Sequence, residues 1–108
     1  MTAISVDDAI AGYIDHVSVE RGLSANTVAA YKRDLARYSR WCRSIEIALV
    51  EEVESHDVAR FAASLRNPKA NGVAKESTLS ASSAARAVVA VRSFHKFAVL
   101  EGWSPSDP

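Results

Sequence analysis

Val28, Tyr31, Leu35, Tyr38, Cys42 and Ile45 follow one another at alternating steps of three and four. That spacing returns to one side of a 3.6-residue helix and fits no alternating strand. Lys32, Arg33, Arg37, Arg40 and Arg43 fall largely outside the stripe, so the segment reads as a long amphipathic helix with one side to bury. Ser24, just ahead of it, is a natural N-cap. A helix of this kind needs other helices to cover its stripe.

The rest of the chain supplies them. Val6, Ala9, Ile10, Tyr13, Ile14 and Val17 define a first helix over about 6–20, with Ser5 as N-cap, Asp7 and Asp8 in the first turn, and an end near Gly22. A shorter third helix is expected after Ser55, burying Val58, Phe61, Ala62 and Leu65 and stopping before Pro68. From Asn67 to Leu79 the sequence is polar and aperiodic, which reads as a loop carrying Lys69 and Lys75. A fourth helix runs from about Ser82 to Leu100 on Ala84, Val88, Val91, Phe94 or His95, and Ala98, with Gly102 as its C-cap. The fold class is all-α, with four main helices about one core.

The length suits one domain, and the composition, 48% hydrophobic and 24% charged, is that of an ordinary globular protein. No apolar run approaches the roughly 20 residues of a membrane span, and Met1 to Asp8 lack the features of a secretory signal. A lone cysteine, Cys42, excludes an internal disulfide framework. Together these lead us to expect a cytoplasmic chain with no membrane partner. Thirteen basic and thirteen acidic residues cancel, yet the charge alternates in blocks. Residues 1–20 hold four acids and no lysine or arginine; residues 21–43 hold six bases and Asp34; residues 46–60 hold five acids and Arg60; residues 66–96 hold six bases and Glu76. Folding could gather the basic blocks on one face, and such a face gives salt-sensitive affinity for a polyanion.

Two constellations carry the functional signal. Asn26, Ala30, Arg33, Arg37 and Arg40 share a helix face, and Thr27 stands beside its start. Small residues there allow close approach, the amide and hydroxyl can hydrogen-bond to bases or phosphates, and the arginines can grip phosphates. The same pattern also suits an ordinary solvated arginine face. On the fourth helix Ser82, Ser83 and Arg86 occupy the first turns, where Arg86 could read a guanine edge. Equally, Ser82 or Ser83 could simply cap the helix while Arg86 is solvated. Arg92, on another side, suits a structural ion pair with an acid of the first or third helix.

Other reactive residue types form no constellation. His16, His56 and His95 lie on different elements without ligand spacing, so no metal and no cofactor are expected. Tyr13, Tyr31 and Tyr38 fall at core or core-edge positions, their hydroxyls expected near the surface, and Trp41 and Trp103 suit packing better than base stacking. There is no phosphate-binding glycine loop, nucleophile elbow or carboxylate pair, hence no catalytic residue and no small-molecule substrate.

Leu23-Ser24-Ala25-Asn26-Thr27, Tyr31-Lys32-Arg33-Asp34-Leu35, Arg86, and Val91-Arg92-Ser93-Phe94-His95-Lys96-Phe97 before Glu101-Gly102 resemble the N-terminal core-binding domain of tyrosine recombinases, most closely the Xer type. The resemblance runs from about Ile4 to Pro108. It implies a SAM-like orthogonal bundle of four to five helices over residues 1–102, with residues 103–108 starting a linker to a separate catalytic domain. It also implies that the second and fourth helices lie over the major groove of a recombination half-site in double-stranded DNA. Neighbouring recombinase protomers would meet in a synaptic tetramer, where the acidic first helix could serve. Carried over by position, the DNA-facing residues are Asn26, Thr27, Ala30, Arg33, Ser82, Ser83 and Arg86, to which the helix face adds Arg37. A phage or transposon integrase has the same build. A helical protein-interaction module remains the rival from another class, and a self-contained enzyme using Tyr31 or Tyr38 is more remote.

Overall fold

The computed structural model describes residues 3–20, 22–66 and 79–108. Helix α1 spans Val6–Val19, α2 Ala25–Ser44, α3 Ser55–Ser64 and α4 Ala81–Leu100, with a single 3-10 turn at Val50–Glu52 between α2 and α3. Among the described residues no β-strand is present, so the fold is all-α, with one isolated bridge between Ser5 and Leu49. The loop expected from Asn67, with Lys69 and Lys75, lies outside the described residues except at Leu79. Leu79 donates its N–H to the Leu65 carbonyl at 2.8 Å and so ties the start of α4 to the end of α3.

Local signals set the helix boundaries. Ser5 accepts from the Asp8 N–H at 3.0 Å and Ser24 from the Thr27 N–H at 3.2 Å, each satisfying an N–H that the helix leaves orphaned. Helix α3 starts one residue earlier than the spacing suggests, because Asp57 reaches back to the Glu54 N–H at 3.0 Å. The cap of α4 is Ser80, whose Oγ accepts from the Ser83 N–H at 3.2 Å. Ser82 and Ser83 therefore sit inside the first turn, neither of them being the cap. At the other end Gly102, at φ +76°, makes a reversal in which its N–H meets the Val99 carbonyl at 3.0 Å and the Trp103 N–H meets that of Ala98 at 2.8 Å.

Helix α2 packs against both α1 and α4, while α3 closes one side of α4. Tyr13, Val17, Leu35, Tyr38, Phe61, Val91 and Phe94 are fully enclosed between them. Tyr38 stands edge-on to Phe61 at 4.9 Å and to Phe94 at 6.4 Å, and Tyr13 edge-on to Phe94 at 6.0 Å. Two of the three tyrosines are not near the surface as expected: Tyr13 of α1 and Tyr38 of α2 are buried where both helices pack with α4, while Tyr31 is half-buried. Tyr38 meets His95 of α4 in the core at 2.7 Å. Burial drives the Tyr38 phenol far above its ordinary range, pushes the Cys42 thiol up to about 12, and lowers His95 to about 4. All three are neutral near pH 7. No helix among the described residues is long and apolar enough to cross a membrane.

Candidate nucleic-acid interface

Two flanks of α2 diverge once the bundle is assembled. The flank toward α1 carries Ser39, whose hydroxyl donates to Asp7, and Arg43, which donates to Ser39 at 3.0 Å and lies 3.9 Å from Asp7. Arg43 is thereby committed to holding α1. The flank toward α4 carries Ala30 and Asp34, both buried. Ala30 therefore does not share an exposed face with Asn26 and Arg33, as the spacing suggested; the covered part of α2 is wider than its apolar stripe because two helices pack on it.

Arg86 is the partner of Asp34. Its Nε donates to Asp34 Oδ2 at 2.8 Å and its Nη2 to Oδ1 at 3.0 Å, joining α4 to α2 across 52 positions of sequence. The carboxylate side chain is 4% exposed and the guanidinium side chain 39%, so the pair is sealed on one side and open on the other. Hydrogen bonding to Asp34 raises the Arg86 pKa further, keeping the guanidinium charged. Removing Arg86 would strand a buried carboxylate. The cost is about 1–3 kcal/mol, below that of a fully buried pair because the outer side of Arg86 is already solvated.

The open side of this pair belongs to a groove of about 290 Å³ lined by Arg33, Asp34, Ala36, Arg37, Arg40 and Arg86, with Leu79 at its edge. Four arginines thus converge where α2 and α4 run together, and among the described lining residues the one carboxylate, Asp34, is paired with Arg86. Of the expected DNA-facing residues, the groove gathers Arg33, Arg37 and Arg86. Asn26 and Ser82 are exposed on the first turns of the two helices, ahead of the groove, and Thr27 and Ser83 are half-buried there. The Thr27 hydroxyl accepts from Ser24 at 2.9 Å, within the cap of α2. Arg92 is exposed, without an ion pair among the described residues, and the acid expected to meet it does not.

Among the described residues, one cluster with metal-ligating atoms forms elsewhere. Glu54, His56 and Asp57 bring three such atoms within 4.8 Å of one another at the start of α3. His56 lies 3.5 Å from Glu54 and 3.3 Å from Asp57, while Asp57 caps the helix. The positive end of α3 opposes a cation there.

The comparisons with known proteins fit this architecture. The family described as phage integrase, N-terminal SAM-like domain matches residues 10–102. The chain belongs to this family. It is 44% identical over 96 residues to "Tyrosine recombinase XerD" of Mycobacterium tuberculosis (strain H37Rv), a match covering 89% of this chain and 30% of that protein. The same name is carried by a Mycobacterium leprae (strain TN) protein, 44% identical over 103 residues, with 94% of this chain and 32% of the relative covered. A Corynebacterium glutamicum relative, also named tyrosine recombinase XerD, is 38% identical over 95 residues, covering 88% of this chain and 30% of its own length. The chain thus spans about a third of the length of the curated relatives it matches. No solved structure matches it significantly.

Sequence reasoning missed Asp34. The available signal was its isolation, as the one acid in a block with six bases and directly beside the apolar stripe.

Proposed function

We propose that this chain is the DNA-binding N-terminal domain of a site-specific tyrosine recombinase of the Xer type, and that it sits on the major groove of one recombination half-site. The arginine-lined groove between α2 and α4 carries the reading. A duplex offers a phosphate per strand every 3.4 Å, and a cleft with Arg33, Arg37, Arg40 and Arg86 on its walls concentrates positive charge that the zero net charge of the chain conceals. Asn26, Thr27, Ser82 and Ser83 stand on the helix starts, where short polar side chains and helix N-termini meet phosphates. Ala30 contributes by letting α2 approach α4, not by touching DNA.

Cleavage and rejoining of strands through a tyrosine, with arginine and histidine partners, belong in this reading to the part of the relatives that the chain does not span. The same reading makes residues 1–102 the domain, with residues 103–108 leading toward that part, and places the whole protein in the cytoplasm, acting in chromosome dimer resolution. Contacts between protomers of a synaptic tetramer have a suitable surface. Val19 and Leu100 are 79% and 83% exposed and flank a hollow lined by Asp15, His16, Glu20 and Phe97, an apolar patch with an acidic rim.

Fluorescence anisotropy with a short labelled duplex at two salt concentrations tests the reading. Affinity that falls steeply with salt, and that Arg33→Ala and Arg37→Ala each weaken for every sequence alike, is expected. Binding that ignores salt and both substitutions would overturn it.

A further inference from the structure

Arg86 spends only one of its two forks on Asp34. A guanidinium offers five N–H donors in a plane, arranged as a side-on edge of Nε with Nη2 and an end-on edge of Nη1 with Nη2. Asp34 takes the side-on edge with both of its oxygens, at 2.8 and 3.0 Å. The end-on edge keeps its outward hydrogens, and the side chain retains 39% exposure in the groove. A pair of donors in one plane fits a pair of acceptors, and guanine presents O6 and N7 on its major-groove edge in that arrangement.

What holds this fork still is the buried carboxylate. Asp34 is enclosed between α2 and α4, so its own position is fixed by helix packing. The two bonds fix the plane and rotation of the guanidinium before any ligand arrives, removing the freedom that a solvated arginine loses on binding. Arg33, on the same groove, has no such anchor among the described residues and fits the weaker demands of a phosphate contact.

We propose that Asp34 is a positioning residue for sequence recognition: it clamps the Nε–Nη2 edge of Arg86 and thereby presents the Nη1–Nη2 edge to one guanine. This rests on the reading that the groove lies on duplex DNA. Simple electrostatics predicts only the change in affinity; the clamp adds a loss of discrimination. Removing the charge of Asp34 brings the basic face one unit closer to a polyanion's preference, so general affinity should hold or rise while discrimination is lost.

The experiment is selection by the 108-residue chain from short duplexes with a randomised central segment, followed by sequencing, at low salt. The unaltered chain should enrich guanine at one position. In Asp34→Asn that preference should drop at least about fivefold, with affinity for the unselected pool unchanged or higher. Arg86→Lys, which keeps a charge beside Asp34 but has no fork, should lose the same position and covers the case in which Asp34→Asn fails to fold. Guanine enrichment that survives in either folded variant, or that falls only in step with affinity for the whole pool, would show that the pair is merely a tie between helices and overturn the proposal. So would salt-dependent binding by the unaltered chain with no guanine position. Absence of any binding by the unaltered chain would instead remove the DNA reading itself.

Discussion

Tyr38 of α2 and His95 of α4 are joined by a hydrogen bond of 2.7 Å inside the core, with neither residue more than 1% exposed. Two polar tips satisfy each other where water does not reach, so each depends on the other remaining neutral and in place. The pair lies on the same two helices that Asp34 and Arg86 connect at the surface. Its condition therefore bears on the geometry of the groove.

Acid should loosen this joint. Burial lowers His95 from 6.5 to about 4, with Asp107 opposing the shift only in part. The unfolded chain takes up a proton near pH 6.5 that the folded chain refuses until about pH 4. Stability from this group is full above pH 6.5 and lost as the pH falls toward 4, by about 3 kcal/mol in all. Denaturant unfolding measured at half-unit intervals should show that slope. In His95→Leu the chain should be less stable at neutral pH, and the part of the slope due to His95 should vanish.

Glu46 ends α2 in the left-handed region at φ +63°, while the Ile47 N–H reaches back to the Cys42 carbonyl at 2.9 Å. This is the position that glycine ordinarily fills after a helix. Glu46→Gly relieves the steric cost but loosens the unfolded chain. The balance should be a gain of about 0.5–1 kcal/mol in chemical denaturation.

Two serines at the start of α4, Ser80 and Ser82, have different duties. Ser80→Ala removes the side chain that accepts from the Ser83 N–H, and should cost about 1 kcal/mol. Ser82 is exposed in the first turn, so Ser82→Ala should leave stability within about 0.5 kcal/mol and show its effect in DNA affinity. Thermal melts beside anisotropy titrations of the two variants separate capping from binding.

Gly12 makes room for a ring. A Cβ there would come within 2.8 Å of Trp103 Cη2, and Trp103 also stands edge-on to Phe97 at 5.3 Å. Gly12→Ala gains about 1 kcal/mol of helix propensity but dislodges the indole, for a net loss of roughly 1 kcal/mol. In a Trp103→Leu background the sign should reverse. Melts of the four proteins in that cycle decide it.

The helices were legible because their signals are local. The stripe from Val28 to Ile45, the caps Ser5 and Ser24, and Gly102 all act within one or two turns, and each stands where its spacing put it. Relations between helices were not legible. Asp34 and Arg86 are 52 residues apart, and nothing in either helix alone distinguishes an arginine clamped by a buried acid from one waving in solvent. For the same reason Ala30 read as exposed: a stripe shows the side facing one neighbour, but not that a second helix covers the adjoining flank. The cap of α4 lies two or three residues before the expected Ser82 or Ser83 because the three serines are equally good caps in sequence, and only the hydrogen bond from the Ser83 N–H to Ser80 chooses among them.

The central claim is that duplex DNA binds the groove between α2 and α4. It is tested most directly by NMR titration of the uniformly labelled chain with a short duplex at low salt. Shifts concentrated from Asn26 to Arg40 and from Ser80 to Arg86, and reversed by added salt, are the predicted result. Shifts confined to α1, α3 and the C-terminal end of α4, with the groove residues unmoved, would contradict it.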